Sequence, residues 1–170
     1  MGGAVLVAFA SDHDPARKAA EVVARELSAV IERVDVLPVQ DVEDLEPYRA
    51  IVVGSSVRSR RPRPEAVEFV QRHQGALGRV PVAFFFTGAC FNGTEDMNRA
   101  QAERYVRLVC REAHEIRPIA IGAFGILDER HFDAPDRVTR RRNWVPESAL
   151  HEWRALGLWA ATLEMILMIG

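Results

Sequence analysis

Short apolar segments alternate along the chain with segments whose apolar residues recur at helical spacing. The apolar segments predict five strands, at residues 5–10, 34–39, 50–57, 81–87 and 118–127. The third of these, AIVVGSSV, shows no alternation of apolar and polar residues. This is typical of a strand that is buried on both faces of a sheet.

Helical spacing predicts four helices between and after the strands. They cover residues 15–30, 64–77, 97–114 and 147–169, and residues 40–47 leave room for one further helical turn. Strands and helices that alternate in this way form parallel sheets with right-handed crossovers. We therefore predict an α/β fold, a three-layer, doubly wound, five-stranded parallel sheet. The strand order we expect for it is 2-1-3-4-5, one of the orders found in doubly wound sheets. We expect the whole chain, residues 1–170, to form a single domain.

The composition narrows the class of protein. A net charge of −2 gives no overall attraction to nucleic acid or to a membrane surface. Two cysteines, Cys90 and Cys110, are too few for a disulfide framework, so we expect a reducing, intracellular setting. No basic region precedes the apolar run Ala4–Ala10, which is only seven residues long, so we expect no signal peptide, and no apolar window is long enough to span a membrane. These features predict a cytoplasmic protein.

Three segments follow the first, third and fourth predicted strands, and the strand order brings them together. They are Ser11–Ala16, Ser55–Arg63 and Thr87–Asn92. In an open parallel sheet, ligands bind beyond the carboxyl ends of the strands, at the point where the strand order reverses. We therefore expect the three segments to line one binding crevice.

The first segment leads into a helix N-terminus, which offers unpaired N–H groups and the positive end of the helix dipole. A phosphate is the ligand that such a place favours. The expected contacts are Ser11, His13, Ala16 and Arg17. Asp12 and Asp14 favour the alternative, an ordinary capped helix, because their carboxylates would repel a phosphate or occupy its position.

The second segment begins Gly54-Ser55-Ser56-Val57-Arg58, whose small residues let a flat ring lie close to the backbone. A run of arginines follows. We expect Arg58, Arg60 and Arg61 to bind an anionic substrate, because the planar fork of arginine binds carboxylates through two hydrogen bonds. The alternative is a solvated basic loop.

The third segment is suited to contacts with the edge and face of a ring. Thr87 and the backbone N–H groups of the segment are placed to hold the edge of a heterocycle, and Phe91 to cover its face. Cys90 is a lone cysteine, and such a residue is more often part of the packing than a reactive group.

The other cysteine and histidine residues give no basis for predicting a metal site or a catalytic site. Cys110 and His114 are only two potential ligands, so no metal site is predicted. His13 and His131 belong to no catalytic motif and are interpreted as surface histidines, so no catalytic residue is assigned. The C-terminal segment 153–170, which makes up most of the predicted final helix, is apolar nearly all round. One face must cover the sheet, and the rest predicts a homodimer interface or a peripheral membrane contact.

These segments together resemble the flavodoxin superfamily, and within it the short, flavodoxin-like protoporphyrinogen oxidases that use menaquinone. The resemblance covers nearly the whole chain. It rests on VLVAFAS, IVVGSSVR, PVAFFFT and IAIGAFGIL at four of the strands and on Trp153 in the last helix. VVGSSVR is the most specific segment, because a similar run lies under the flavin in that family.

The resemblance implies a non-covalent FMN that passes electrons from a substrate to a quinone, in a protein of heme biosynthesis. The flavin carries the redox chemistry, and the protein positions it. By position, the phosphate contacts are Ser11, His13, Ala16 and Arg17. The ring contacts are Ser55, Ser56, Val57 and Arg58 on one side and Thr87, Gly88, Ala89 and Phe91 on another. A substrate with two propionates would suit the arginines at 58–63.

Two other functions stay open at this point. Asp12, Asp14 and the missing hydroxyl at Ala16 favour a flavin-free protein that acts as a binding or regulatory partner through its apolar C-terminal helix. A small electron-transfer flavodoxin is the weaker alternative, because such carriers present an acidic docking face near the flavin and the rim predicted here is basic.

Overall fold

Six strands form one sheet in the computed structural model, which describes residues 3–11, 15–127 and 147–169. In chain order they are β1 (Ala4–Ala10), β2 (Val34–Pro38), β3 (Tyr48–Arg58), β4 (Arg61–Pro62), β5 (Val82–Thr87) and β6 (Ala120–Phe124). The strand order is β2-β1-β3-β5-β6, and all neighbours on this path are parallel. The predicted fold class and order are confirmed, with the short antiparallel β4 added beside β3.

Helices cover both faces of the sheet. They are α1 (Pro15–Leu27), a single 3₁₀ turn (Val39–Asp41), α2 (Pro64–Arg72), α3 (Gln74–Leu77), α4 (Glu95–Val109) and α5 (Glu147–Ile169). Buried residues of α1 and α5 form one core cluster with the sheet, and those of α2 and α4 form the other. The result is the three-layer arrangement that the sequence predicts.

The central strands are buried on both faces, as their unbroken apolar runs indicate. Along β1, Leu6 and Ala8 point to the cluster of α2 and α4, whereas Val5 and Val7 point to the cluster of α1 and α5. All seven residues of β1 and all six of β5 are buried. Two-sided burial of this kind requires apolar residues at odd and even positions alike.

The final helix has the predicted bounds, and one of its faces covers the sheet as predicted. Trp153, Leu156, Ala160 and Leu163 lie in the core. Large apolar side chains on the other side of α5 are exposed, and they are Leu158, Met165, Met168 and Ile169. A homodimer or membrane contact through this surface stays a prediction. Among the described residues, no helix is long and apolar enough to cross a membrane.

Two helices differ from the prediction in their bounds. The segment 64–77 is divided at His73, whose backbone is not helical, and Gly75 lowers the helical propensity directly after the break. The helix predicted from residue 97 begins at Glu95, because Thr94 caps it and the Thr94 Oγ1 accepts a hydrogen bond of 3.3 Å from the Met97 amide. It ends at Val109 rather than at residue 114.

Two further predicted segments are longer than the observed elements. α1 ends at Leu27, and Val30 is exposed rather than part of its buried face. β6 ends at Phe124, because the next amide, that of Gly125, donates a hydrogen bond of 2.8 Å to Glu152 Oε2 in α5 instead of continuing the strand. The segment predicted as a charged loop, residues 128–146, lies outside the described residues.

His73 is half-buried at the break between α2 and α3. Its ring centroid lies 4.9 Å from that of Phe69, and its Nε2 atom is buried without a hydrogen-bond partner among the described residues. Burial lowers the pKa of His73, and the positive charge of Arg72 lowers it further. A backbone hydrogen bond with Val42 and the charge of Asp44 only partly oppose this shift.

We expect this histidine to make the free energy of unfolding depend on pH. Because the pKa of His73 is lower in the folded state, its contribution is fully present above the unfolded value of about 6.5 and is lost as the pH falls through the folded pKa. Urea unfolding of the parent and of His73→Gln at about pH 7.5 and about pH 5 measures the loss. The variant should lose less stability than the parent between the two pH values, and equal losses would contradict the prediction.

Candidate functional site

The carboxyl ends of three neighbouring strands lie side by side at one edge of the sheet. Ala10 at the end of β1 pairs with Ser55 in β3, and Ser56 pairs with Thr87 at the end of β5. The segments that leave these strands therefore start from adjacent positions. This is the convergence that the strand order predicts.

The start of α1 forms one side of this edge. Ala16, which the sequence predicts as a phosphate contact, is fully buried, backbone and side chain alike. Arg17 is exposed and forms an ion pair with Glu21, with 3.4 Å between Nε and Oε1. The first turn of α1 contains no acidic residue, which leaves the positive end of its dipole uncompensated by that turn. Ser11 directly follows β1 and is half-buried. His13 lies in the segment 12–14, outside the described residues.

The segment after β3 is a β-hairpin and not an irregular loop. Arg58 pairs with Arg61 across β3 and β4, and the two residues between them form the turn. Both turn residues, Ser59 and Arg60, have positive φ angles, 53° and 59°. Turns of this kind strongly favour Asn-Gly, because other side chains are strained there. Backbone strain of this kind often occurs at functional sites. In this hairpin, the turn places Arg60 at the tip.

The Ser55 hydroxyl holds this hairpin to the sheet. Its Oγ donates a hydrogen bond of 2.8 Å to the Ser56 carbonyl and accepts one of 3.0 Å from the Arg63 amide. Ser55 is buried, so its side chain is engaged inside the protein, whereas Ser56 and Val57 are half-buried. The two half-buried residues are therefore the ones that β3 presents toward a ligand.

The segment after β5 is a tight turn that packs against β3. The Phe91 amide donates to the Gly88 carbonyl at 3.2 Å, and the Gly88 amide donates to Phe124. A Cβ atom at Gly88 would lie 3.0 Å from the Val57 carbonyl, so glycine permits this close approach. The amides of Ala89 and Cys90 donate to no other described residue and are available to a ligand.

Two predicted ring contacts in this segment are inside the protein. Thr87 and Phe91 are 2% and 3% exposed. The Phe91 ring packs edge-on against Tyr105 of α4, with 5.9 Å between the ring centroids. Phe91 therefore anchors the turn to α4, and its ring is not presented to the crevice.

A groove of about 560 Å³ lies between the hairpin, the turn and α4. Ser59 and Arg60 line it from the hairpin, Ala89 and Cys90 from the turn, and Arg104 from the helix. The volume lies in the range of about 300–1,000 Å³ that is usual for small-molecule sites. Sequence reasoning missed the helical wall, although an available signal was the mostly polar surface of the predicted helix 97–114.

The electrostatics of the groove are set by arginines. Two arginines, Arg60 and Arg104, line it, and among the described residues no acidic side chain does. Burial raises the pKa of Tyr105, which stays a neutral phenol. The hydrogen bond of 2.7 Å that its hydroxyl accepts from Gln101 Nε2 only partly opposes this shift. Cys110 lies in α4's C-terminal cap, outside the groove lining. Burial raises the pKa of its thiol to about 11, which keeps the thiol protonated and unreactive.

Comparisons with known proteins agree with this architecture. A family model described as a flavodoxin domain matches residues 6–139. No protein among those of curated function matches significantly.

Several solved structures share the fold. A flavodoxin mutant from Pseudomonas aeruginosa is 16% identical over 97% of this chain and 99% of its own, with a TM-score of 0.63. A flavodoxin from the domain Archaea is 16% identical over 95% and 99%, with a TM-score of 0.60. A WrbA-like flavodoxin from Agrobacterium tumefaciens is 13% identical over 99% of both chains, with a TM-score of 0.58. Since the family model covers most of the sequence, the chain belongs to the flavodoxin-domain family.

Proposed function

We propose that this protein is an FMN-dependent oxidoreductase that takes electrons from an anionic organic substrate and delivers them to a quinone, as in the menaquinone-dependent protoporphyrinogen oxidases that its sequence resembles. One observation carries the proposal. The groove beside the cofactor loops is lined by two arginines and, among the described residues, by no acid. A carboxylate-bearing substrate suits such a site.

Membership of the flavodoxin-domain family points to FMN as the cofactor, and the described residues fit it. The first turn of α1 and Arg17 offer N–H groups and positive charge for the phosphate. The half-buried Ser56 and Val57 offer a surface for the ring, and the available amides at the Ala89–Cys90 turn offer donors for its edge. Bound FMN supplies the redox chemistry.

The basic rim favours a substrate over a protein redox partner. Electron-transfer flavodoxins present an acidic docking face near the flavin. Here the hairpin beside the crevice carries exposed Arg58, Arg60 and Arg61. Of these three, only Arg60 lines the groove, whereas Arg58 and Arg61 lie beside it in the hairpin. Because the arginine fork binds a carboxylate through two hydrogen bonds, this basic hairpin supports binding of an anionic small molecule.

Turnover tests this function directly. The purified protein is supplied with FMN, a chemically reduced porphyrinogen and a soluble menaquinone analogue, and porphyrin fluorescence is recorded. We expect fluorescence to increase faster than the spontaneous oxidation only when protein, FMN and quinone are all present. Rates that do not depend on the quinone, in protein shown to contain FMN, would count against this reaction and would favour an electron carrier.

A flavin-free binding protein is the second candidate, and the sequence of the first loop favours it. Asp12 and Asp14 belong to the loop sequence in which the phosphate is expected, and carboxylates in that loop would compete with the phosphate. Absorption of freshly purified protein separates the two candidates. A flavin band near about 450 nm is expected of a flavoprotein, and protein that lacks it and refuses added FMN would be flavin-free.

Removing charge from the hairpin is expected to weaken the binding of an anionic substrate. We predict that Arg58→Gln combined with Arg60→Asn raises the apparent KM about threefold to tenfold, because each exposed arginine contributes a modest ion pair. Asparagine is chosen at position 60 because it tolerates a positive φ.

The matched control for this variant is Arg79→Gln. Arg79 is exposed and precedes β5, at the opposite edge of the sheet, so its loss should leave KM unchanged. Steady-state kinetics at constant ionic strength measures both variants. An unchanged KM in the hairpin double variant would remove these arginines from the substrate site.

A further inference from the structure

The outward face of α5 carries an apolar row that the described residues leave uncovered. Four of the eight large apolar side chains that these residues expose lie on this helix. Leu158, Met165 and Met168 are each more than half exposed, and the half-buried Ala161 lies between them. Steps of three, four and three residues separate these positions, so all four lie on one side of the helix. We call these four residues the outward row.

α5 carries a second row with the same spacing, and that row is buried. It packs with α1 and the sheet and consists of Trp153, Leu156, Ala160, Leu163 and Leu167. A helix that only covers a sheet needs one apolar face, and its other face is usually polar. The outward row has no such role within the described chain. Alternating steps of three and four residues are the pattern by which two helices pack along their length.

The polar groups of this face place no obstacle in the way of a partner. From residue 155 to residue 169 the only charged side chain is that of Glu164, which is half-buried. It lies about 100° around the helix from Met165, at the margin of the outward row. The exposed Thr162 donates a hydrogen bond of 3.0 Å from its hydroxyl to the Leu158 carbonyl. Covering the outward row would therefore bury no unpaired charge and no unpaired hydroxyl donor, the groups that make burial costly.

The charge of α5 distinguishes a membrane from a protein as the partner of this row. Helices that lie on a membrane surface carry lysines and arginines beside their apolar face, and anionic lipids attract these cations. α5 has no lysine or arginine between residues 155 and 169, and its one charge there is the acid Glu164. An uncharged row is instead complementary to an identical row, because no like charges meet when a second copy covers it. These observations favour a second copy of this chain.

The two ends of the row favour an antiparallel arrangement of the helices. Arg154 precedes Leu158 by four residues and is exposed, whereas the last turn of α5 contains no basic residue. In an antiparallel pair, Arg154 of each copy lies near Ile169 of the other, at the negative end of the helix dipole, which attracts a cation. A parallel pair would place the two Arg154 side chains next to each other, where like charges repel.

We propose that two copies of this chain form an antiparallel dimer through the outward row, with Leu158 of each copy packed against Met165 of the other. In this register the small Ala161 and Thr162 lie at the two-fold axis, where they let the helices approach closely. Such a dimer is independent of the proposed function, because α5 packs on the α1 side of the sheet and the groove lies beside α4 on the other side. A single helix pair is a small interface, so we expect a dissociation constant of about 1–100 μM.

Sedimentation equilibrium of the parent protein between about 1 and about 300 μM tests the dimer. The measured mass should rise with concentration from that of one chain toward that of two. Leu158→Glu and Met165→Glu each place a carboxylate in the row and should weaken association at least about tenfold. Met97→Glu is the matched control, because Met97 is a similarly exposed methionine on α4, and it should dimerise as the parent does. Thermal unfolding confirms that each variant is folded.

Disulfide cross-linking tests the direction of the helices. Leu158→Cys protein is mixed with Met165→Cys protein that carries a longer affinity tag, so that mixed and like disulfides separate on a gel after mild oxidation. In the antiparallel register the two different cysteines face each other, whereas like cysteines are seven residues apart, about 10 Å along the axis. A disulfide joins Cα atoms that are within about 7 Å, so the mixed product should predominate. The parent, with Cys90 and Cys110, is the control for other cross-links.

Three results would overturn the dimer. The first is a parent protein that stays monomeric over the whole concentration range. The second is association that Met165→Glu and Met97→Glu leave equally strong, or like disulfides that form in preference to mixed ones. The third is a monomeric parent that sediments with vesicles of anionic lipid while Met165→Glu does not, because a membrane would then be the partner of the outward row.

Discussion

Replacing Gly54 with alanine is expected to lower the free energy of unfolding by about 3 kcal/mol, at the upper end of the usual cost of overpacking a core. A Cβ atom at this position would lie 2.0 Å from Cζ of Phe85 and 2.4 Å from its Cε1. Neither the backbone at Gly54 nor the Phe85 ring can move easily to relieve this contact. Gly54 pairs with Phe9 and Phe85 inside the sheet, and the fully buried Phe85 ring packs edge-on against Trp159 at 6.0 Å.

Urea unfolding of Gly54→Ala measures this cost. Gly157→Ala is the matched control, because a Cβ there meets nothing within 4 Å and the residue lies inside α5. The control should be neutral or stabilising by up to about 1 kcal/mol, through helical propensity. Adding Phe85→Leu to Gly54→Ala should recover part of the loss, and a Gly54→Ala protein as stable as the parent would show that the clash is absent.

This glycine also changes the interpretation of the segment after β3. From sequence, the small residues at 54–56 indicated room for a flat ring against the backbone. In the structure, Gly54 makes room for Phe85 and the Ser55 hydroxyl secures the hairpin. Ser56 is the small residue that remains half-buried at the crevice.

Phe91→Ala is expected to lower the free energy of unfolding by about 3–5 kcal/mol, the range for removing a buried aromatic ring. Phe91 is 3% exposed and packs against Tyr105, so its loss leaves a cavity under the turn. The turn carries the available amides of Ala89 and Cys90, so looser packing should also weaken cofactor binding. Both effects, the loss of stability and the weaker cofactor binding, are expected because the Phe91 ring anchors the turn from inside the protein.

A ring that instead covered the flavin from outside would behave differently. Phe91→Ala would then weaken FMN binding and leave the stability of the apo protein nearly unchanged. Chemical denaturation of the apo protein separates the two cases, with Met97→Ala as the control because Met97 is 64% exposed in the next helix. Stability of the apo variant within about 0.5 kcal/mol of the parent would refute the anchoring role.

The architecture was predictable because two-sided burial leaves a clear trace in the sequence. The unbroken apolar runs of β1 and β5 indicate strands covered by helices on both faces, and the alternation of strands and helices indicates a parallel sheet. The stripe of α5, including Leu156 and Leu163, is encoded by simple helical spacing. In each case the local pattern and the tertiary burial agree.

The groove was less predictable because it depends on contacts between distant elements. Nothing in Ser59-Arg60 resembles the usual residues of a two-residue hairpin turn, so the hairpin was missed. Which face of α4 borders a cavity depends on where that hairpin packs, and Arg104 therefore gave no signal by itself. The burial of Phe91 follows from its contact with Tyr105, which the sequence alone does not place.

Titration of the purified apo protein with FMN, beside riboflavin, tests most directly whether the three strand ends form a cofactor site. We predict saturation at one equivalent of FMN, with quenched flavin fluorescence and a perturbed absorption band near about 450 nm. Riboflavin should bind at least about tenfold more weakly, because it lacks the phosphate that the first turn of α1 is placed to bind. No saturable change with FMN up to about 100 μM would contradict cofactor binding at this crevice.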